Sequence, residues 1–140
     1  MNKEEQIRRF IMDYPIEVPR QALENELNYI RLEMRHRMRY DTLTGGPHHF
    51  DADGELEQME DELRQAAYYE AKYDLVIKDI IAREDFSVTR RELEEEAAAM
   101  AQRQNSTVEM VYRFFGEDLA MLEKDIKRRK AEQWICKKTR

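Results

Sequence analysis

Apolar residues recur at three- and four-residue steps along almost the whole chain, the spacing of one face of a helix, and strand-like alternation is not found. Ile7, Phe10 and Ile11 predict a short first helix, ended by the turn DYPIEVP. Pro19 then opens a second helix, because proline is tolerated in a first turn, with a stripe of Leu23, Leu27, Ile30, Met34 and Met38. That helix is expected to stop before TGGPHHFDADG, residues 44–54, the one clear loop. From about Asp53 to about Glu84 the pattern predicts a single helix, with Leu63, Ala66, Tyr69, Tyr73, Val76, Ile77 and Ile80 on its apolar side. Such a helix is roughly 48 Å long, against about 37 Å for the diameter of a compact globule of this size. Unless it bends or breaks, it overhangs, and the expected fold is therefore all-α, one elongated helical domain over 1–140 with protruding arms and a cleft between them.

Start and stop signals mark the remaining helices. In FSVTRRELEEE, Thr89 and Glu92 have the T-x-x-E spacing of a capping box, and Val88 and Leu93 the positions of a hydrophobic staple. This helix is expected to run to about Gln104. In NSTVEMVYRFFG, Ser106 and Glu109 repeat the box and Gly116 offers a stop. A last helix is predicted from about Glu117 toward Ile135, anchored by Leu119, Leu122, Ile126 and Trp134. A shift of 70 residues lays IEVPRQALENE, 16–26, over FSVTRRELEEE, 86–96, and Ile7, Phe10 and Ile11 over Ile77, Ile80 and Ile81. Helix, tight turn, helix thus occurs twice.

Composition narrows the function classes. The 140 residues are 41% hydrophobic and 39% charged, with 24 cations against 30 acids, a balance that disfavours non-specific nucleic-acid binding by the whole chain. The cations Lys127, Arg128, Arg129, Lys130, Lys137, Lys138 and Arg140 gather in the tail 127–140 against Glu132 alone. Such a tail complements a helix dipole, and is also the candidate contact for RNA or a ribosome. Cys136 is the sole cysteine, so no internal disulfide forms. The charged N-terminus has no apolar stretch of signal-peptide or membrane-span length, which points to a cytoplasmic protein that does not engage membranes.

Candidate chemistry is sparse. HFDADGELEQME, 49–60, places Gly54, Asp51, Asp53 and Glu60 at calcium-loop positions, but His49 stands where the first carboxylate belongs. The simpler reading is a loop whose Asp53 caps the following helix. His48 and His49 beside Asp51 and Asp53 lack fixed ligand geometry, and His36 in RHRMR reads as a solvated helix position. No nucleophile elbow, phosphate loop, dinucleotide fingerprint or zinc spacing occurs, so neither an enzyme nor a cofactor is expected. What remains is adaptable apolar surface, from eight methionines and seven tyrosines. Met34, Met38, Tyr40, Tyr68, Tyr69 and Phe115 are the candidates for lining a peptide-binding groove.

Two stretches carry a family resemblance. IRRFIMDYPIEVPRQALENEL has a helix, an I-x-V-P turn and a helix, and ELRQAAYYEAKYDLVIKDIIAREDFSVTRRELEEEAAAMAQRQNSTVEMVYRFFGEDLAMLEKDIKRRKAEQWI continues with a long helix, a V-T-x-x-E-L turn and a terminal L-x-x-D-I-x-R-x-K-A helix. In order and spacing, residues 3–137 resemble the C-terminal domain of trigger factor, the bacterial ATP-independent chaperone. The resemblance implies a helical body whose two arms cradle unfolded polypeptide. Trigger factor's G-F-R-x-G-x-x-P ribosome-docking signature and its FKBP-like prolyl-isomerase domain have no counterpart here, so a stand-alone domain is expected and those two activities do not carry over. The expected function is a holdase for exposed apolar segments of nascent or unfolded chains. The alternative is a helical interaction module that docks one specific partner.

Overall fold

The computed structural model describes residues 2–43 and 52–139, and every regular element among them is helical. Seven helices follow in order: α1 (Lys3–Asp13), α2 (Arg20–Leu43), α3 (Ala52–Gln58), α4 (Glu60–Glu84), α5 (Arg90–Arg103), α6 (Val108–Phe115) and α7 (Ala120–Lys138). They form two compact units, one of Ile11–Val76 and one of Met1–Phe10 with Ile77–Arg140. The helix starts at Arg20 and Arg90 lie 70 residues apart, as the internal repeat requires.

In the Ile11–Val76 unit, Leu27 and Met38 of α2 meet Leu56 of α3 and Leu63 and Ala67 of α4. Leu23, Ile30, Met34 and Met59 pack against that cluster. The single long helix expected from Asp53 to Glu84 is instead two. The chain turns at Met59, whose N–H reaches back to the Leu56 carbonyl at 3.1 Å, three residues away instead of four. No glycine or proline marks this break. What marks it is Glu60, Asp61 and Glu62 in the first turn of α4, where acids meet the positive end of a new helix dipole. Arg31 of α2 holds Glu60 in place through both carboxylate oxygens, and Arg64 adds a 3.0 Å hydrogen bond to the same group. At 25 residues α4 is about 37 Å long. Its buried side runs through Ala67 and Ala71, while Ala66, which the periodicity placed inside, is exposed. Asp53 lies within the first turn of α3, so it is not that helix's cap.

The same unit contains a buried cation. Lys72 is 5% exposed, and its ammonium donates to the Met12 carbonyl at 2.7 Å, at the end of α1. The last turn of α1 has no basic residue of its own, so α4 supplies the charge that the negative end of that helix favours.

In the other unit, Leu93, Ala97 and Ala101 form one face of α5 and pack with Val111 of α6 and with Leu119, Leu122 and Ile126. Thr89 caps α5 in a complete capping box with Glu92, and Val88 packs on the cluster that contains Leu93, as the staple predicts. The α5 C-terminus is a Schellman turn. Asn105 takes the left-handed conformation with φ 53°, and the N–H groups of Asn105 and Ser106 donate to the carbonyls of Gln102 and Ala101. The cap of α6 is then Thr107, one residue beyond the expected Ser106, accepting from the Met110 N–H. Gly116, at φ 90°, ends α6 as expected. The last helix starts at Ala120 instead of Glu117, because Leu119 adopts φ 52° to turn its fully buried side chain into the core. Arg90 steadies this corner by donating to the Glu117 carbonyl at 2.9 Å and the Tyr112 hydroxyl at 3.2 Å. Phe10 meets Trp134 edge to face at 6.0 Å.

Ion pairs join α5 to α7. Lys130 pairs with Glu92 at 2.8 Å and donates to the Ser87 carbonyl, and Glu96 pairs with Arg129 at 2.9 Å and Arg103 at 3.3 Å. Hydrogen bonds from Lys130 and the Thr89 backbone hold the Glu92 carboxyl below the usual carboxylate range. Burial pushes Glu96 up, but its bonds to Arg129 and Arg103 outweigh that, and the net direction is down. Glu26 is raised by burial and by the nearby carboxylates Asp74 and Glu70.

Two outcomes are expected. Leu122→Ala, which empties a fully buried position, costs about 2–5 kcal/mol in urea denaturation, whereas Phe114→Ala, at a residue 83% exposed, stays within about 0.5 kcal/mol. A carboxyl depressed in the folded state contributes stability above the ordinary glutamate range and loses it as pH falls through the depressed value. Replacing Glu92 and Glu96 together by Gln should therefore lower stability at pH 7 and flatten its decline in acid. Glu26→Gln has the opposite sign, stabilising at neutral pH and losing that advantage on acidification. Thermal melts across pH measure both.

Candidate functional site

No group of three or more His, Cys, Asp or Glu among the described residues could hold a metal ion. Cys136 is a free, partly buried thiol on α7. His48, His49 and Asp51, on which the calcium and metal readings depend, lie outside the described residues. No described helix is long and apolar enough to cross a membrane.

The feature that stands out is apolar. The Schellman turn at Asn105 and the Thr107 cap fold α6 back against the end of α5, and a groove of about 320 Å³ lies where they meet. Met100 of α5 and Gln104, its C-cap, form one wall, Met110, Val111, Phe114 and Phe115 of α6 the other, and Ser106 closes the turn end. Val111 is buried and Phe115 packs on the core. Met110 and Phe114, one helical turn apart, face water at 51% and 83% exposure. The two phenylalanine rings meet edge to face with centroids 4.9 Å apart, so Phe115 braces Phe114 from below. Val108 and Met121 extend the exposed apolar set in this unit.

Of the residues singled out from the sequence, Phe115 lies in this groove. Met34 and Met38 come together in the core of the Ile11–Val76 unit, where Met38 is only 7% exposed and shares a buried cluster with Leu56 and Leu63. Helical spacing alone placed both methionines on the correct face of α2, and that face is the packed one. Tyr40 is 68% exposed on the other side of α2, beside His36, Arg37, Arg39 and Leu43. Tyr68 is 36% exposed, and Tyr69 is half-buried with its ring 6.3 Å from that of Tyr73. Met100, Met110 and Phe114 escaped the sequence reading. The available signal was the six apolar residues in the eight-residue run VEMVYRFF, more than one face of two helical turns can bury.

The basic tail is largely paired within the protein. Lys127 meets Glu123 at 3.5 Å and Arg128 meets Asp125 at 3.4 Å, Arg129 and Lys130 bind the α5 acids, and Lys138 lies 5.4 Å from the centre of the Trp134 ring.

The all-helical scaffold agrees with what the chain is similar to. The family described as the C-terminus of bacterial trigger factor protein matches residues 1–137. Trigger factor of Bacillus pumilus (strain SAFR-032) is 24% identical over 133 residues, which are 95% of this chain and 31% of that protein. The chain thus spans about a third of the length of that relative. No solved structure matches. With nearly its whole length covered, the chain belongs to the trigger factor C-terminal family.

Proposed function

We propose that this protein is an ATP-independent holdase of the cytoplasm that binds exposed apolar segments of nascent or unfolded polypeptides. The observation that carries the reading is the α5–α6 groove, where Met110 and Phe114 stay in water although a core lies directly beneath them. A volume of about 320 Å³ is at the small end of ligand pockets, roughly 300–1,000 Å³. It suits one or two large side chains of an extended segment. A dedicated partner would bury about 800 Å² on each side, which favours the holdase over a single-partner module at this place. Methionine walls adapt to varied side chains. Each large apolar side chain accommodated contributes about 1.5–3 kcal/mol before ordering costs, so a few contacts give micromolar affinity and release requires no nucleotide. Tyr40 and Tyr68, exposed in the other unit, are proposed as auxiliary contacts, with Phe115 as the floor of the groove. Contact with RNA through the tail is the weaker reading, since most tail cations already have partners.

Light scattering of a chemically denatured client diluted into buffer tests the proposal. The protein at molar excess should suppress aggregation, and the Met110→Ser, Phe114→Ser double variant should lose most of that effect while keeping its helical circular dichroism and melting midpoint. Absence of suppression by the unmodified protein, or full suppression by the variant, would refute the groove as the holding site.

A further inference from the structure

Helix α2 has two apolar faces. Leu27, Ile30, Met34 and Met38 face the core, while Tyr29, Leu32, Tyr40 and Leu43 are 60%, 50%, 68% and 86% exposed. At 100° per residue these four, with exposed His36 between them, fall within one narrow stripe on the side opposite the core residues. From Tyr29 to Leu43 the stripe is about 21 Å long. Its flanks are basic. Residues 31–39 hold four arginines against one acid, Glu33, in a chain whose net charge is −6, and of these Arg31 turns to Glu60 of α4 while Arg37 and Arg39 border the stripe. The α7 cations Lys127, Arg128, Arg129 and Lys130 face α5 acids or acids of their own helix. By contrast, Arg37 is 75% exposed, with only a 3.7 Å contact to Glu33 one turn back, and Arg39 is exposed on the opposite flank of the stripe.

We propose that this outward face of α2 docks an acidic, amphipathic polypeptide segment. Its apolar side chains would cover Tyr29, Leu32, Tyr40 and Leu43, and its carboxylates would meet Arg37 and Arg39. The charge pattern selects this occupant. A second copy of α2 brought against the stripe would set arginine-rich flanks against each other, at an electrostatic cost. A nucleic acid would satisfy the arginines but leave Leu32 and Leu43 without apolar cover. An acidic amphipathic segment satisfies both. The inference concerns a different surface from the α5–α6 groove, shares only the auxiliary contact Tyr40 with the holding reading, and stands whether or not that groove holds unfolded chains.

Fluorescence anisotropy with a labelled 20-residue peptide, Leu at helical spacing and Glu on the flanks, tests it against the same peptide with Lys for Glu. The acidic peptide should bind the unmodified protein about tenfold more tightly than the basic one, and should weaken as salt rises from about 50 to 300 mM. Arg37→Glu with Arg39→Glu should reverse the preference, Tyr40→Ser with Leu43→Ser should weaken both peptides, and Met110→Ser with Phe114→Ser should change neither. Equal binding of the two peptides, or unchanged binding in the charge-reversed variant, overturns the proposal. So does loss confined to the groove variant. Tighter, Arg37- and Arg39-dependent binding of polyuridylate or of phosphatidylserine vesicles would reassign the face to phosphates. A dimer in sedimentation that Tyr40→Ser with Leu43→Ser dissociates would reassign it to a second copy.

Discussion

Two turns of helix offer one face to a core, and α6 has six apolar side chains to place on its two turns. Val111, Tyr112 and Phe115 take the inward positions, which leaves Val108, Met110 and Phe114 outside. The proposed holding of unfolded segments follows from this surplus. It is held in position by short-range features on either side: the left-handed Asn105 that reverses the chain, the Thr107 cap that starts α6, and Gly116, which ends it after eight residues. A longer α6 could spread its apolar residues around more turns, and a softer entry would let Phe114 collapse inward.

The other exposed apolar surface arises differently. Helix α2 has room for an inner and an outer stripe along its 24 residues, and arginines flank the outer one. Such a stripe on an acidic protein has a sign as well as a hydrophobicity, so it discriminates among partners. The α6 surplus, flanked by methionine, has shape and softness without strong charge. On the two proposals, one chain presents a permissive apolar surface and a selective one, in separate compact units.

Much of the fold was legible because helices announce themselves locally. Spacing located α1, α2 and α5, the T-x-x-E box at Thr89 formed as expected, and the 70-residue offset reappeared in the helix starts. The misses share a cause, which is that tertiary packing chose among local options that were nearly equivalent. Ser106 and Thr107 can both cap, and the Schellman turn uses the Ser106 N–H, so Thr107 becomes the cap. Glu117 could begin α7, but burying Leu119 postpones the start to Ala120. Three consecutive acids ended the apparent continuity of α3 and α4 without a glycine or proline. The candidate binding surface was hardest to see, because periodicity reports which residues share a face and not whether that face is covered. Met38 and Phe114 both lie at helical spacing from other apolar residues, and only packing separates the buried one from the exposed one.

The Lys72 ammonium on the Met12 carbonyl has a consequence for synthesis. The negative end of α1 is completed by a cation 60 residues further along the chain. At elongation rates of about 5–20 residues per second, Met12 therefore emerges about 3–12 seconds before the cation that completes its helix end. The negative end of α1 is thus secured only once α4 has emerged, and the growing chain must tolerate an unpartnered helix end until then.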